Sequence, residues 1–599
     1  MPRGWKIRER STSANGIPAT RASRTGVGVG RDVGIGSSEG GEMQVVGGGD
    51  DRAVDAAQHP AVGQLGQPLV DRIVQSEEAL VDQGQRGGAG DRLGGRGDPK
   101  QRIPLYREAT DGQRAEHLDT DLAASGDEGD QTGSPMAPLS PAALHHVAVP
   151  APRRPMPAAG AVFALASAAG VGLSIVVARG GRPLPLLLAA WGGAWLVAVA
   201  AAHRATGRRA IVLILVAGAA LRLASLAGPP ATSDDLYRYA WDGRVQAAGV
   251  DPYDQPPASA QLAHLREGWL WPTASVCATL GRAPGCTRIN RPPARTIYPP
   301  VAEVWFAAVY RVAGVAARHK AWQVAGLVTE LATLGLLVAA LARWGRDQRW
   351  AALYALSPAP ALEIVNNGHV DGLAVMLVMA ALVVVAPGET PASRGREAAA
   401  AALITAAALV KLYPAILLLP LVACRSGPRL GALVRTAAIA AGLGALAYAP
   451  HVAAVGSRVL GYLPGYLREE NYRSGGRFLI AHVLHVPHVA VVAVTVLGVV
   501  AVAVWVVIRR PSLPAASAAL IGALLLAASP AQPWYAVSLL ALAAVARRPA
   551  WAAVVAAGYA AALSSVLAPA HAVTIGGWAY TAALVVVVAA AGRRVRDAR

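Results

Sequence analysis

Two carboxylates and an arginine lie close together in the stretch TSDDLYRYAWDGR, residues 232–244. Asp234 and Asp235 are adjacent, Arg238 follows within one helical turn, and Asp242 lies a further turn on. Residues three and four apart share a helix face, so the spacing predicts a helix that presents acids beside a cation. Such a group can move a proton, bind an anion or hold a hard divalent cation.

The same residues also fit the ordinary start of a helix. Ser233 is a favourable N-cap, and Asp234 and Asp235 would then occupy the first turn, where the helix dipole favours carboxylates. The stretch follows directly on an apolar run at 210–227, however, so these acids lie where the chain leaves a membrane. Ionisable groups are costly there unless they are solvated or used, which favours a functional role.

The composition of the chain indicates a membrane protein. Of its 599 residues 54% are hydrophobic and 15% are charged, the mean hydropathy is +0.38, and many windows are long enough to cross a bilayer. The formal net charge of +18 is concentrated in short clusters between apolar runs, as the positive-inside rule expects, so we expect no nucleic-acid partner. The composition predicts an all-α, polytopic transmembrane fold.

Residues 1–150 differ from the rest of the chain. They are rich in Gly, Asp, Arg and Gln, and up to about residue 135 they have no periodic apolar face. Such a segment buries too little apolar surface to offset its ordering entropy. We expect a disordered extension, or a sequence upstream of a true start at Met136 or Met156, followed by a membrane domain over residues 151–599.

The basic loops orient the predicted spans. Clusters such as GRRVRDAR at 592–599 and HRATGRR at 203–209 are typical of the inner face. Counting from both ends places a first outer loop, residues 228–298, after the third span, and a second outer loop at residues 451–482. The two counts disagree by one crossing between 299 and 350, and a broken helix near Glu330 would reconcile them. We expect about 11–13 membrane segments, some of them short or re-entrant.

One interruption falls at LVKLYP, residues 409–414, where Lys411 and Pro414 break an apolar run. Irregular backbone is tolerated at membrane depth where it lines a cavity, so we expect a re-entrant pair with Lys411 and Tyr413 pointing outward. This orientation brings five polar stretches to one face: 233–244, 366–371, 411–413, 468–477 and 532–535. Their coincidence predicts an outward-facing active site.

Five stretches in this order resemble the polyprenyl-phosphate-mannose-dependent mannosyltransferases of the GT-C superfamily, of the glycosyltransferase family 87 and bacterial α-1,6-mannosyltransferase type. They are SDDLYRYAWDGRVQAAGVDPY (233–253), INRPPARTIYPPVAEVWF (289–306), NNGHVDGLAV (366–375), LVKLYP (409–414) and SPAQPWY (529–535). The resemblance extends over about residues 205–550. It implies a GT-C fold and transfer of a hexose, in particular mannose, with inversion, from a polyprenyl-phosphate sugar. The acceptor would be an envelope glycan, lipoglycan or glycoprotein at the outer face of the plasma membrane.

The resemblance also implies roles for individual residues. An acid in the first outer loop acts as general base or orients the acceptor in such enzymes, and this role falls on Asp234 or Asp235. The leaving lipid phosphate gains charge and needs cations, for which the outer face offers Arg238, Lys411, Arg473 and Arg477. The other polar and aromatic residues of the motifs are expected to bind substrate: Tyr237, Asp242, Arg244, Tyr298, His369, Asp371, Tyr413, Trp534 and Tyr535.

Several of these residues also have ordinary structural interpretations. His369 and Asp371 fit a capped helix start, Lys411 could snorkel to the interface, and Trp534 and Tyr535 fit an interfacial aromatic belt. The acid pair could hold Mg²⁺ or Mn²⁺, although many GT-C enzymes of this kind work without a metal, and we assign no metal site.

The three cysteines differ in their predicted surroundings. Cys277 and Cys286 both fall in the first outer loop, where an oxidising compartment permits a disulfide, whereas Cys424 falls on the inner side and should stay reduced.

A multi-span transporter or lipid flippase is the alternative interpretation, since it would also contain many spans and broken helices. Transporters often show internal repeats and sites near the midplane. The sequence shows no convincing repeat, and its polar residues gather at one face, which favours the glycosyltransferase.

Overall fold

The computed structural model describes residues 157–597, with gaps at 206, 280, 315, 317, 388–392, 426 and 484–486. The predicted extension over residues 1–150 lies outside the described residues. All of the regular structure within them is helical, which confirms the all-α polytopic fold.

The helices follow one another with short connections, except in the two segments predicted as outer loops. The α-helices are α1 Pro157–Ala178, α2 Leu184–Arg204, α3 Arg208–Ala224, α4 Asp235–Ala247, α5 Ala274–Thr279, α6 Pro300–Ala313, α7 Arg318–Arg343, α8 Ala352–Ala355, α9 Asp371–Val384, α10 Arg394–Ala408, α11 Leu418–Ala423, α12 Leu430–Val455, α13 Leu463–Glu469, α14 Leu479–Val483, α15 His488–Arg509, α16 Leu513–Ala528, α17 Ala536–Ala546, α18 Ala552–Leu567 and α19 Ala572–Asp597. A π-helix spans Pro360–Asn366, and short 3₁₀ turns span Ser225–Ala227, Ala260–Leu265, Gln348–Ala351, Tyr413–Leu417, Gly456–Leu460, Pro533–Tyr535, Pro549–Trp551 and Pro569–His571.

Eight helical segments in the described part are long and apolar enough to cross a bilayer. They are Ala158–Ala178, Leu184–Arg204, Arg208–Ala227, Arg318–Arg343, Leu430–Glu469, Val489–Arg509, Pro549–Leu567 and Pro569–Arg594. The bent pair Pro360–Asn366 and Asp371–Val384 makes a ninth if it is one span. Three shorter apolar helices, Tyr413–Ala423, Leu513–Ala528 and Pro533–Ala546, are too short to cross a bilayer alone.

The expected break near Glu330 is wrong, because α7 runs unbroken from Arg318 to Arg343. Glu330 lies within this helix and is fully buried, and Arg222 of α3 donates to it through Nε at 3.0 Å and Nη2 at 2.8 Å. Tyr354 Oη also donates to Glu330, at 2.7 Å. A buried carboxylate with this many donors needs no water and therefore no opening of its helix.

The sharp break lies between the π-helix and α9, which are bent by 118°. Gly368 provides the turn with a φ of +70°, a conformation that favours glycine. Gly326 of α7 packs against the backbone carbonyl of Ile364 in the π-helix, and a side chain on Gly326 would occupy the position of that oxygen. The break therefore depends on glycines that polarity-based counting of spans does not register.

Asparagines at the end of the π-helix hold the segment that leads into α4. Asn366 Oδ1 and Asn367 Oδ1 accept from the Ala231 amide at 2.8 and 3.1 Å, and Asn367 Oδ1 also accepts from the Thr232 amide at 3.1 Å. These bonds fix the acid-bearing end of the first outer loop to the broken helix.

Candidate active site

A cavity of about 1170 Å³ collects residues from four of the five motif stretches. The sequence-predicted site residues that line it are Asp234, Asp235, Arg238, Tyr298, Lys411, Tyr413, Trp534 and Tyr535. Part of the wall is apolar and comes from helices α2, α16 and α18, through Leu184, Leu188, Leu524, Leu525, Leu563 and Val566. Charged groups and an apolar surface therefore face the same cavity.

The acid pair is placed by an irregular start of α4. The helix begins at Asp235 with Asp234 as its N-cap residue, so the expected N-cap at Ser233 is wrong. The Ser233 hydroxyl instead accepts from the Asp235 amide at 3.3 Å and forms a 2.9 Å hydrogen bond with His369 Nε2. The Asp234 side chain makes no capping hydrogen bond and is left to face the cavity.

One amide group joins the two carboxylates. Asn290 Nδ2 donates to Asp234 Oδ1 at 3.0 Å and to Asp235 Oδ1 at 2.7 Å. Tyr298 Oη donates to the other Asp235 oxygen at 3.3 Å. The pair is thus held by a fixed set of donors at the cavity wall.

Burial and the neighbouring Asp235 charge raise the pKa of Asp234 to about 6. The Asn290 hydrogen bond and the Arg291 charge act in the opposite direction, but more weakly. Asp234 therefore takes up a proton much nearer to neutral pH than an ordinary aspartate does.

Arg238 pairs with Asp242 rather than with the acid pair. Its Nε lies 3.0 Å from Asp242 Oδ1, and its Nη1 donates to the Ala294 carbonyl at 2.9 Å. Asp242 is 2% exposed and lies outside the cavity wall, because Arg238 covers it one turn along α4. The structure therefore does not bring Asp242 to the cavity, and its carboxylate is paired with Arg238.

Lys411 lies in the break that the sequence predicts between α10 and α11. Its Nζ is 3.5 Å from Asp371 Oδ2 and lies 5.0 and 5.2 Å from the ring centres of Tyr298 and Tyr535. Asp371 is fully buried behind it and does not line the cavity. Tyr413 lines the cavity and donates to Ser538 Oγ at 3.1 Å. The ammonium group is positioned by an acid beneath and aromatic faces at the sides.

His369 forms a layer behind the wall. It is 1% exposed, and its ring stacks on Trp534 at a centroid distance of 3.9 Å. Its Nδ1 forms a 2.8 Å hydrogen bond with the Glu363 carbonyl, while Nε2 meets Ser233. His369 lies 3.8 Å from Asp235 and is not part of the cavity lining, and it contacts Trp534 and Ser233.

Four further predicted site residues also lie away from the cavity wall. Tyr237 is buried against Trp269, and Arg244 pairs with Glu267 at 3.2 Å. Arg477 is buried and pairs with Glu470 at 2.9 Å, whereas Arg473 is exposed. The structure therefore does not bring these four side chains to the cavity.

The cavity wall also contains polar residues that sequence reasoning missed. They are Asn290, Arg288, Arg291, Glu363, Glu469, Glu470 and Gln532. Asn290 and Arg291 belong to the quoted stretch INRPPAR, but an amide carries no charge pattern, and the partner of Arg291 is Glu469, 178 residues away. The sequence alone therefore indicates neither the role of the Asn290 amide nor the partner of Arg291.

Cys277 and Cys286 form a disulfide. The loop between them carries Arg282, which lines the cavity and donates through Nη1 to the Thr287 carbonyl at 3.0 Å. The crosslink therefore braces part of the cavity wall.

Among the described residues, no group of three or more His, Cys, Asp or Glu side chains is arranged to hold a metal ion. The acid pair offers carboxylate oxygens as ligands, whereas the Asn290 amide presents its nitrogen to both of them. A divalent cation bound there would take its remaining ligands from water or substrate.

The helices and the mixed polar and apolar cavity define a multi-pass membrane protein with reactive acids and cations in a shared chamber. Residues 296–530 match the model of glycosyltransferase family 87, the family that the motifs resemble. This match supports a membrane glycosyltransferase. The matched range contains Tyr298, His369 and Lys411, whereas the acid pair precedes it. No curated protein and no solved structure matches the chain.

Proposed function

We propose that the protein transfers a hexose, and specifically mannose, from a polyprenyl-phosphate sugar to an envelope glycan, lipoglycan or glycoprotein. The observation that carries this proposal is the shared cavity: the acid pair, Lys411 and the apolar wall of α2, α16 and α18 face one space. A lipid-phosphate sugar matches this cavity, because it combines an apolar polyprenyl chain, an anionic phosphate and a polar sugar ring. We propose residues 151–599 as the catalytic domain.

Asp234 is proposed as the general base. A sugar hydroxyl is a weak nucleophile, and a carboxylate with a pKa of about 6 is a better proton acceptor at neutral pH than an ordinary aspartate. The acceptor oxygen forms a bond to the anomeric carbon, the bond from that carbon to the phosphate oxygen breaks, and the proton passes to Asp234. A single displacement of this kind inverts the anomeric centre.

Cations stabilise the departing lipid phosphate. Lys411 and Arg238 are retained from the sequence-predicted set because both line the cavity, and Arg288 joins them as a lining residue. Charge that develops on the phosphate in the transition state is stabilised most by donors that are already fixed in place. The acid beneath Lys411 and the Asp242 pairing of Arg238 provide that fixation.

We propose an outer-face reaction at the plasma membrane. The Cys277–Cys286 disulfide lies on the same outer-loop segment as the acid pair, and disulfides persist in oxidising compartments. Tyr298, Trp534 and Tyr535 supply aromatic surface for the sugar ring.

The test is transfer of radiolabel from polyprenyl-phosphate mannose to envelope acceptors by membranes that contain the protein. Asp234→Asn should lower the rate by about 10²-fold or more, the range for loss of a general base. Asp347→Asn, at an exposed ion pair with Arg349 far along the chain, is the matched control and should transfer at the parent rate. Equal transfer by Asp234→Asn contradicts the base assignment. Label incorporated only from a sugar nucleotide contradicts the donor, and lipid translocation without transfer favours the flippase.

A further inference from the structure

Asn290 forms hydrogen bonds with both carboxylates of the acid pair. It is the residue whose amide group donates to both Asp234 and Asp235, with the two hydrogens of Nδ2 directed to different carboxylates. An amide nitrogen has two hydrogens, so this arrangement uses its full donor capacity. Two adjacent acids are thus bridged by a neutral group instead of a cation.

The backbone around Asn290 is fixed on both sides. Ile289 is 3% exposed, and its amide donates to Thr287 Oγ1 at 3.2 Å. Arg291 has a φ of +45°, a left-handed conformation that is uncommon for a residue with a side chain, so a surrounding constraint must hold it. That constraint is the Arg291 guanidinium, whose Nε and Nη2 donate to the Glu469 carboxylate at 2.6 to 3.0 Å.

Glu469 belongs to α13, so the clamp crosses from the first outer-loop segment to the second. Tyr462 Oη donates to the same carboxylate at 2.8 Å. The turn that carries Asn290 is therefore attached at its far side to an independent helix, and its strained backbone directs the amide back toward the acid pair.

Several other charged or titratable groups surround the pair. Arg291 lies on the same turn as Asn290, Tyr239 on α4, Tyr298 just before α6, His369 and Asp371 at the break before α9, and Lys411 at the break after α10. Most of them already have another partner: Arg291 has Glu469, His369 has Ser233, and Lys411 has Asp371. Asn290, by contrast, donates hydrogen bonds directly to both acids.

We infer that Asn290 is a positioning residue that keeps the Asp234–Asp235 pair ionised and its oxygens oriented for proton transfer. The inference rests on the proposed function for its consequence in catalysis. The physical basis is that hydrogen bonds to the charged form of a carboxylate favour that form, and that two adjacent carboxylates otherwise resist double ionisation.

Removal of the amide should make the pair hold its proton to higher pH. Asn290→Ala deletes both donors, and a hydrogen bond to a charged group contributes enough to move the midpoint upward by about one pH unit. Asn290→Asp is nearly isosteric but replaces the donor with a third acid, so it should move the midpoint further in the same direction. Asn471→Gly is the matched control, because Asn471 is exposed, lies outside the cavity wall and has a φ of +60° that glycine accepts.

The experiment measures two quantities on full-length protein in detergent or membranes. The first is the pH profile of mannose transfer from polyprenyl-phosphate mannose. The second needs no activity: modification by dicyclohexylcarbodiimide, which reacts with protonated carboxyls, is followed against pH, and the adducts on Asp234 and Asp235 are located by mass spectrometry.

We expect both midpoints to move upward in Asn290→Ala and Asn290→Asp, with much of the rate recovered at high pH, and to stay in place in Asn471→Gly. A rate that falls equally at every pH, with an unmoved carbodiimide midpoint, overturns the inference and leaves Asn290 only structural. If the parent protein does not transfer sugar while the carbodiimide midpoint still moves, the proposed function fails and the inference about the acid pair stands. If parent transfer is normal and neither midpoint moves, the inference alone fails.

Discussion

Asp234 lines the cavity and has a raised pKa. Its protonation state should therefore control the rate of transfer. Since burial and Asp235 raise this pKa to about 6, Asp234 is ionised above that pH and protonated below it. A protonated carboxyl cannot accept the acceptor's proton. Transfer should therefore fall about tenfold for each pH unit below 6, as expected for one essential base.

The measurement is the transfer rate between pH 4.5 and 8 at saturating donor. In Asp235→Asn the neighbouring charge is lost, so the acidic limb should move to lower pH while some activity remains. A parent profile that stays flat down to pH 5 would contradict the role of Asp234.

Both Lys411 and Arg473 are predicted to bind the donor phosphate, but only Lys411 lines the cavity. Lys411→Met removes a charge that faces the cavity, whereas Arg473→Met removes one from an exposed position outside it. We expect the first change to lower kcat/KM for the lipid donor by about 10- to 100-fold, the equivalent of one charge-assisted contact of 1.5 to 3 kcal/mol. Arg473→Met should stay within about twofold, and equal losses in both variants would mean that the cavity is not the donor site.

At this scale the sequence indicates charged and aromatic residues better than it indicates their partners. Asp234 and Lys411 stand out because charge is rare near apolar runs. Asn290 does not, because a neutral amide becomes informative only when the fold brings it to a carboxylate. Arg477 is misleading for the opposite reason: its charge is conspicuous, but Glu470, seven residues earlier, pairs with it.

At the scale of elements, the broken helix sets the position of His369 and of the segment that leads into α4. Gly326 of α7 allows close packing against the Ile364 carbonyl, whereas Gly335, nine residues on in the same helix, has open space around it. Gly326→Ala should therefore destabilise the protein by about 1 to 3 kcal/mol through overpacking, whereas Gly335→Ala should be neutral or slightly stabilising.

The comparison is made by thermal unfolding of the two purified variants in the same detergent. The Gly326→Ala protein should also lose transfer activity, because a shift of the π-helix displaces Asn367 from the Thr232 amide. Equal midpoints for the two variants would show that the close approach of α7 and the π-helix is unimportant.

The same pair of elements explains where prediction of the fold stops. Apolar runs and the interruption at Lys411 indicate most helices and one break, because both depend on local composition. The break at Gly368 and the continuity of α7 through Glu330 depend on packing and on Arg222, 108 residues before Glu330. Counting residues along one helix cannot reveal a partner on another.

At the scale of the whole molecule, the two segments predicted as outer loops are joined by three side-chain pairs. Arg291 meets Glu469, His451 Nδ1 lies 2.7 Å from Asp251 Oδ2, and Arg458 pairs with Asp254. These contacts join residues 228–298 to residues 451–482, although about 200 residues separate the partners. A chain with many arginines offers too many equivalent pairings for the sequence to specify these, and only the fold selects them.

The last prediction concerns the orientation of the whole molecule in the membrane. A reaction at the outer face requires residues 228–298 and 451–482 to lie outside the cell. The test uses a background in which Cys424, the free cysteine of the described chain, is replaced by alanine and the Cys277–Cys286 disulfide is kept. Single cysteines are then placed at exposed positions: Ala258→Cys and Ser474→Cys in the two outer segments, and Ser512→Cys and Ala591→Cys beside basic clusters. A membrane-impermeant maleimide should label the first two on intact cells and the second two only after permeabilisation, since basic clusters favour the inner face. Labelling of the Ala258 and Ser474 positions from opposite sides would be incompatible with the ion pairs that join their segments. If both were protected until permeabilisation, the cavity would face the cytoplasm, and the reaction would have to draw its sugar from that side.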